Sequence, residues 1–171
     1  PGRPGAGVIH RIIWRVGADD ALGFWERRLA QRGVSVERLD GALRFRDPEG
    51  LEHELVVADV PDRPLIAEHP EVPAEHALQG FHGVRAYSTD PERSRAFFEG
   101  ALGFEPREDG WEVRGRSRGG VYAFDPAPPE RGLQGAGTVH HIAWTSETDD
   151  HEAWRERIAA AGGRPTPVID R

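Results

Sequence analysis

Gly7-Val8-Ile9-His10-Arg11-Ile12-Ile13-Trp14 and Gly137-Thr138-Val139-His140-His141-Ile142-Ala143-Trp144 are two copies of one pattern, and that repetition decides how the chain is read. An acidic stretch follows each, Ala18-Asp19-Asp20 in the first and Asp149-Asp150 in the second. Then come matching cores, Trp25-Glu26-Arg27-Arg28-Leu29 and Trp154-Arg155-Glu156-Arg157-Ile158. A more diverged copy starts at Gly80-Phe81-His82-Gly83-Val84-Arg85-Ala86-Tyr87. Its acidic start is Asp90-Pro91-Glu92, where Pro suits a first helical turn. Internal repeats of this length mark one supersecondary unit used several times.

Within the first copy, Val8 to Val16 is β-branched and aromatic, which predicts a strand. Leu22, Trp25 and Leu29 fall at i, i+3 and i+7, one face of a helix that Gly33 ends. Val34 to Leu39 and Ala42 to Arg46 are short strands. The turn Asp47-Pro48-Glu49-Gly50 leads into a last strand, Leu51 to Val57. The unit is therefore β-α-β-β-β. In the copy near 80–125, a helix runs through Phe97 and Phe98, and strands lie near Trp111-Val113 and Val121-Phe124.

This gives a β-α-β-β-β module over 6–58, a linker over 59–78, and a module over 79–125. A linker over 126–136 and a partial module over 137–171 follow. The first linker holds four Pro and the second three. A module that stops after one strand, one helix and part of a second strand leaves sheet edges unpaired. The pattern, and an opening Pro1-Gly2-Arg3-Pro4-Gly5 that reads as linker, predict a piece of a longer protein. That opening has no signal-peptide pattern, and the expected location is cytoplasmic.

The 171 residues have a formal charge of -7 and no Cys. Disulfides, zinc–thiolate sites, iron–sulfur clusters and a thiol nucleophile are excluded. All 22 positive charges are Arg, and Lys, Asn and Met are absent, as codon pressure in a GC-rich genome would produce. The Arg are scattered and form no basic stripe, so nucleic acid and anionic membrane are poor partners. No apolar run is long enough to span a bilayer. No glycine-rich phosphate loop and no Ser-centred nucleophile elbow occur.

The repeat, Leu102-Gly103-Phe104, and Arg46-Asp47-Pro48-Glu49-Gly50-Leu51-Glu52-His53-Glu54-Leu55 resemble the vicinal oxygen chelate superfamily. That superfamily contains glyoxalase I, bleomycin-resistance proteins and extradiol dioxygenases. Residues 137–144, with Thr166-Pro167-Val168-Ile169-Asp170-Arg171, resemble more specifically its ring-cleaving dioxygenases of the hydroquinone type. The resemblance implies an α+β fold, in which paired βαβββ modules form curved, mixed, mostly antiparallel sheets. It makes these modules two, three and the start of four, with two and three paired. The implied activity is opening of an aromatic diol, hydroquinone or catechol, with O2. The implied metal is a non-haem Fe(II), with Mn(II) or another divalent metal as alternatives. The implied partners are a small aromatic substrate and O2, and a homo-oligomer stays open. Two other readings remain, a glyoxalase-like lyase or isomerase and a non-catalytic drug-binding protein of the same fold.

A metal that binds an organic oxygen and dioxygen together needs few protein ligands and open positions, and two His with one carboxylate meet that need. In the superfamily the His come from first strands and the carboxylate from a last strand. The ligand position maps onto His141, and onto Arg11 and Gly83 in the other copies. On a strand, adjacent His140 and His141 would point to opposite faces. The resemblance therefore implies His141 as metal ligand, with His140 and Arg171 lining the substrate pocket. A neutral His can carry a proton and an Arg can stabilise an oxyanion. A terminal, solvated Arg171 is the plainer reading. Glu54, with His82 or His10, is a vestigial alternative site, and Glu54 paired to Arg11 or Arg85 is its bland counterpart. His53 is expected on the surface, and His69, His76 and His151 in solvent. Trp14, Trp25, Trp144 and Trp154 recur at equivalent positions, which argues for packing.

Overall fold

The computed structural model describes residues 2–169. Arg171, read above as a pocket residue, lies outside the described residues. Strand β1 (Ile9–Val16) leads into helix α1 (Asp19–Gln31), then β2 (Val36–Leu39), β3 (Ala42–Arg46) and β4 (Glu52–Val57). The second unit has β5 (Phe81–Ser88), a 3-10 turn at Pro91–Ser94 and a π-helical turn at Phe97–Ala101. It continues with β6 (Glu105–Arg107), β7 (Gly110–Arg114) and β8 (Gly119–Pro126). Helix α2 (His151–Ala160) follows.

The eight strands form one mixed sheet in the order β2-β3-β4-β1-β5-β8-β7-β6. Within each unit the first strand lies parallel to the last, β1 on β4 and β5 on β8. The other pairings are antiparallel, including β1 on β5, which joins the two units edge to edge. The expected pairing of the second and third modules is thus made through their first strands. The curved, mostly antiparallel sheet is the α+β architecture that the resemblance implied.

Period-two alternation gives the sheet one apolar face and one charged face. Val16, Leu43 and Leu55 are almost fully buried against Ala21 and Leu22 of α1, with Trp14, Trp25 and Phe45 packed around them. Asp19 and Asp20 sit in the first turn of α1, where the helix dipole favours acid. Gly33 follows it at φ +74, the left-handed turn that ends a helix. In the second unit the short helical turns carry Phe98 onto Trp111 (ring centroids 5.0 Å apart) and Phe104 (5.1 Å). That unit therefore covers its face with an aromatic cluster rather than a full helix.

Three expectations are corrected among the described residues. Residues 138–144 form no strand although they repeat β1, and no second strand follows α2. A strand exists only by hydrogen bonding to a neighbour, and none of the eight strands pairs with this segment. Trp144 instead leaves 43% of its surface exposed and touches Phe104 edge-on at 5.1 Å. The predicted strand at Val34 starts at Val36, because Val34 N–H is spent on Leu29 O at the helix end.

Candidate functional site

The face of the sheet turned away from α1 carries Arg11, Ile13 and Arg15 of β1, and Glu52 and Glu54 of β4. Arg85 of β5, Glu112 and Arg114 of β7, and Asp125 of β8 complete it. The charged side chains among them are arranged as ion pairs around a cleft of about 630 Å³, lined among others by Ile13, Glu54, His82, Arg85, Glu112 and Tyr122.

Glu54 is buried, and one of its two carboxylate oxygens, Oε2, is engaged twice. Its carboxylate accepts from Arg11 Nη1 at 3.0 Å and Arg44 Nε at 2.7 Å. Arg11 also donates to Glu52. Of the two arginines suggested by the sequence, Glu54 takes Arg11. Arg85 turns to Asp125, donating from Nε at 2.9 Å and Nη2 at 2.8 Å, and to Asp109 at 2.6 Å. His10 shares Asp125 through Nε2 at 2.8 Å and stacks on Tyr87 at 3.9 Å. Burial holds the His10 pKa below its ordinary value, against the pull of Asp125.

His82 Nδ1 accepts from Arg15 Nε at 3.1 Å. Burial and then the Arg15 charge push its pKa down, so the ring is neutral near pH 7. With Nδ1 accepting, the single ring proton is assigned to Nε2. That nitrogen then donates and has no lone pair for a metal. At Gly83, a Cβ would lie 2.2 Å from Val121 O, so no ligand-bearing residue fits there with this β5–β8 spacing. The described residues of this cleft therefore do not fit a metal: no three ligand-type side chains gather there, Glu54 Oε2 is held by two guanidiniums, and its imidazole, His82, is held by Arg15.

His140 and His141 lie outside the sheet. They are exposed, and their Nδ1 atoms are 3.0 Å apart. The opposite orientations expected of a strand are not realised, since no strand forms there. No group of three His, Asp or Glu suited to a metal occurs among the described residues. His141 and His140 thus offer imidazole donors without the carboxylate that a facial set requires.

Two further histidines differ from expectation. His53 is not on the surface: it accepts from Trp14 Nε1 at 3.0 Å and stacks on Phe45 at 5.2 Å, on the apolar face. His76 is partly buried, stacks on Phe24 at 4.9 Å, and its Nδ1 has no partner. His69 and His151 are exposed, as expected. Trp14 and Trp25 pack as the repeat argued, Trp25 donating to His76 O at 2.7 Å.

The sequence reading missed Arg15 and Asp62. Arg15 is 3% exposed and Asp62 has 2% of its side chain exposed. They form a buried ion pair, joined by Arg114.

Asp125 supplies a test of these ion pairs. The Arg85 hydrogen bonds hold its pKa down to about 2, against 3.8 ordinarily, although burial opposes them. A carboxyl whose folded pKa is depressed stabilises the fold above its unfolded pKa and loses that contribution as pH falls through the folded one. Asp125→Asn should cost about 2 kcal/mol at pH 7. The gap to the parent protein should close between about pH 4 and pH 2. Urea melts across that range would show it, and a gap independent of pH would contradict the assignment.

Comparisons place this architecture in a class. A model of the Glyoxalase/Bleomycin resistance protein/Dioxygenase superfamily matches residues 80–171, more than half of the chain, and the chain belongs to that superfamily. It is 36% identical over 160 residues to “Putative ring-cleaving dioxygenase MhqO” of Bacillus subtilis (strain 168), covering 88% of this chain and 51% of that protein. It is 28% identical over 178 residues to “Putative ring-cleaving dioxygenase MhqE” of the same organism, covering 99% and 58%. The crystal structure of a “putative dioxygenase” from Bacillus subtilis superposes with a TM-score of 0.84 at 32% identity, over 100% of this chain and 57% of that one. Glyoxalase I from Zea mays shares the fold at a TM-score of 0.56 and 15% identity, over 99% and 62%. The chain spans about half the length of the curated relatives it matches. No helix among the described residues is long and apolar enough to cross a membrane.

Proposed function

We propose that this chain is part of a ring-cleaving dioxygenase, a metal-dependent enzyme that opens an aromatic diol of the hydroquinone or catechol type with O2. The observation that carries this reading is the 36% identity to a relative named for ring cleavage, spread over 88% of the chain. Dioxygenases of this superfamily generally use a divalent metal, and Fe(II) is the reading adopted here. When bound, such a metal brings the diol oxygen and O2 to adjacent positions.

Ion pairs occupy the cleft between the two units, and the ligand of this reading is His141, as the family resemblance implies. His140 beside it is the proton carrier, because a neutral imidazole can both take and give a proton near pH 7. Arg171 is read as an oxyanion partner in the same pocket. Modules two and three form the supporting half, and 137–171 the start of the module that carries the ligand. The location is cytoplasmic in this reading.

Oxygen uptake tests the reading. The protein carrying this chain, loaded with Fe(II), should consume one O2 per hydroquinone or catechol opened. His141→Ala should lose bound metal, measured by mass spectrometry. His140→Ala should keep the metal and lose turnover. Iron loss in His140→Ala with retention in His141→Ala would exchange their roles. Absence of diol-dependent uptake would remove the dioxygenase reading.

A further inference from the structure

Segment 59–66 runs along the cleft as a largely exposed loop. Pro61, Arg63, Pro64, Leu65 and Ile66 face solvent, and Leu65 and Ile66 keep 59% and 45% of their surface exposed. Val60 is half-buried, and the Asp62 side chain dips inward, with only 2% of it exposed. A loop held by apolar packing would bury its Leu and Ile, so this one is anchored mainly by a carboxylate.

The receiving site is built from three elements. Arg15 Nη1 of β1 and the Gly119 N–H of β8 (3.1 Å) meet one carboxylate oxygen, and Arg114 Nη2 of β7 meets the other. The donors are fixed independently of Asp62. Arg15 also donates to Gly119 O at 2.8 Å and to His82 Nδ1 at 3.1 Å, and Arg114 to Glu112 at 2.8 Å. Two guanidiniums and a backbone amide converging on a planar anion are the geometry of a carboxylate receptor. Beyond the anchor, the loop is tied to the body by weaker contacts. Leu65 N–H donates to Gln79 O at 3.2 Å, and Arg118 reaches Arg63 O at 3.3 Å. Asp59, Val60 and Pro61 form part of the cleft wall, so the anchor also sets how wide the cleft stands.

We propose that Arg15, Arg114 and the Gly119 amide form a carboxylate-binding site that the chain fills with its own Asp62, so that 59–66 is a strap held by an internal ligand and a small free monocarboxylate can take that place. The strap is thus a competitor for any carboxylate-bearing molecule that enters the cleft. Nothing in this assignment depends on the metal or on ring cleavage.

Formate is the probe, and thermal melting of the purified chain is the readout. Asp62→Ala should melt below the parent. Formate at roughly ten times its dissociation constant should then shift the variant's unfolding equilibrium by about tenfold, by mass action on the folded state. Chloride at equal ionic strength should not. The parent, whose site is already filled by Asp62, should give no response beyond that of chloride. Arg114→Ala added to Asp62→Ala should abolish the formate effect. If Asp62→Ala is unfolded without added anion, refolding in formate but not in chloride, followed by circular dichroism, is the expected result. Equal responses in the parent and Asp62→Ala would overturn the proposal, as would failure of formate to rescue a variant that does not fold.

Discussion

Replacing Arg15 by Met is expected to cost about 3–5 kcal/mol of folding stability, the usual penalty for breaking a buried ion pair from one side. The side chain is 3% exposed, and three groups depend on it. Asp62 loses one of its two guanidiniums. Gly119 O and His82 Nδ1 lose their donor, at 2.8 Å and 3.1 Å. Met retains most of the volume, so the cost measures lost charge and hydrogen bonding rather than a cavity. An exposed pair supplies the contrast. Arg116–Glu147, with side chains 88% and 69% exposed, should cost well under 1 kcal/mol when Arg116 is replaced by Ala. Urea denaturation of both variants checks the pair of values. Comparable losses would mean that the cleft is wetter than its geometry indicates.

Trp111→Ala is the second large effect. Trp111 is 4% exposed, stacks on Phe98 at 5.0 Å, and donates from its indole to Glu99 at 3.0 Å. Truncating such a ring removes transfer energy and leaves a cavity, together about 3–5 kcal/mol. Trp111→Phe keeps a ring against Phe98 and loses only the indole contact, so it should cost less. The aromatic cluster belongs to the second unit, yet the loss should lower a single cooperative transition. The reason is the β1–β5 ladder, which makes one sheet of both units. Calorimetry showing two transitions, with only one moved by Trp111→Ala, would mean that the units melt independently.

The strands were legible where local pattern and tertiary demand agree. Ala42–Arg46 was read with the observed bounds, ended by the Asp47-Pro48-Glu49-Gly50 turn, and in the sheet it buries Leu43 and exposes Arg46. Residues 138–144 show the limit of that reasoning. They carry the same pattern as β1, but pattern specifies only which face would be buried. The ladder needs a second strand, and no strand of the sheet pairs with this segment. β6 was not read at all, since Glu105–Arg107 is a short, fully exposed edge containing Pro106.

The candidate site was legible in part. Arg11 in place of a ligand followed from carrying the resemblance's ligand position across the repeat, which left Arg11 and Arg85 both open as partners of Glu54. Gly83 was noted as a missing ligand, and the structure adds that Val121 leaves no room for one. Asp62 gave no signal. Pro61-Asp62-Arg63-Pro64 reads as a solvated linker, and the partners that bury it lie 47, 52 and 57 residues away. Arg15 was hidden for the same reason, since a charged residue beside Trp14 and Val16 on a strand is ordinarily read as facing water. Both depend on charge meeting charge across the fold, which no local window contains.

Ion pairs occupy the cleft of the paired units, and His141 rather than Glu54 is the proposed metal ligand. Anaerobic titration of this chain with Fe(II), followed by calorimetry, tests it most directly. No site tighter than about micromolar, near -8 kcal/mol, is predicted. A tight one-to-one site that Glu54→Gln or His82→Ala abolishes would contradict the account.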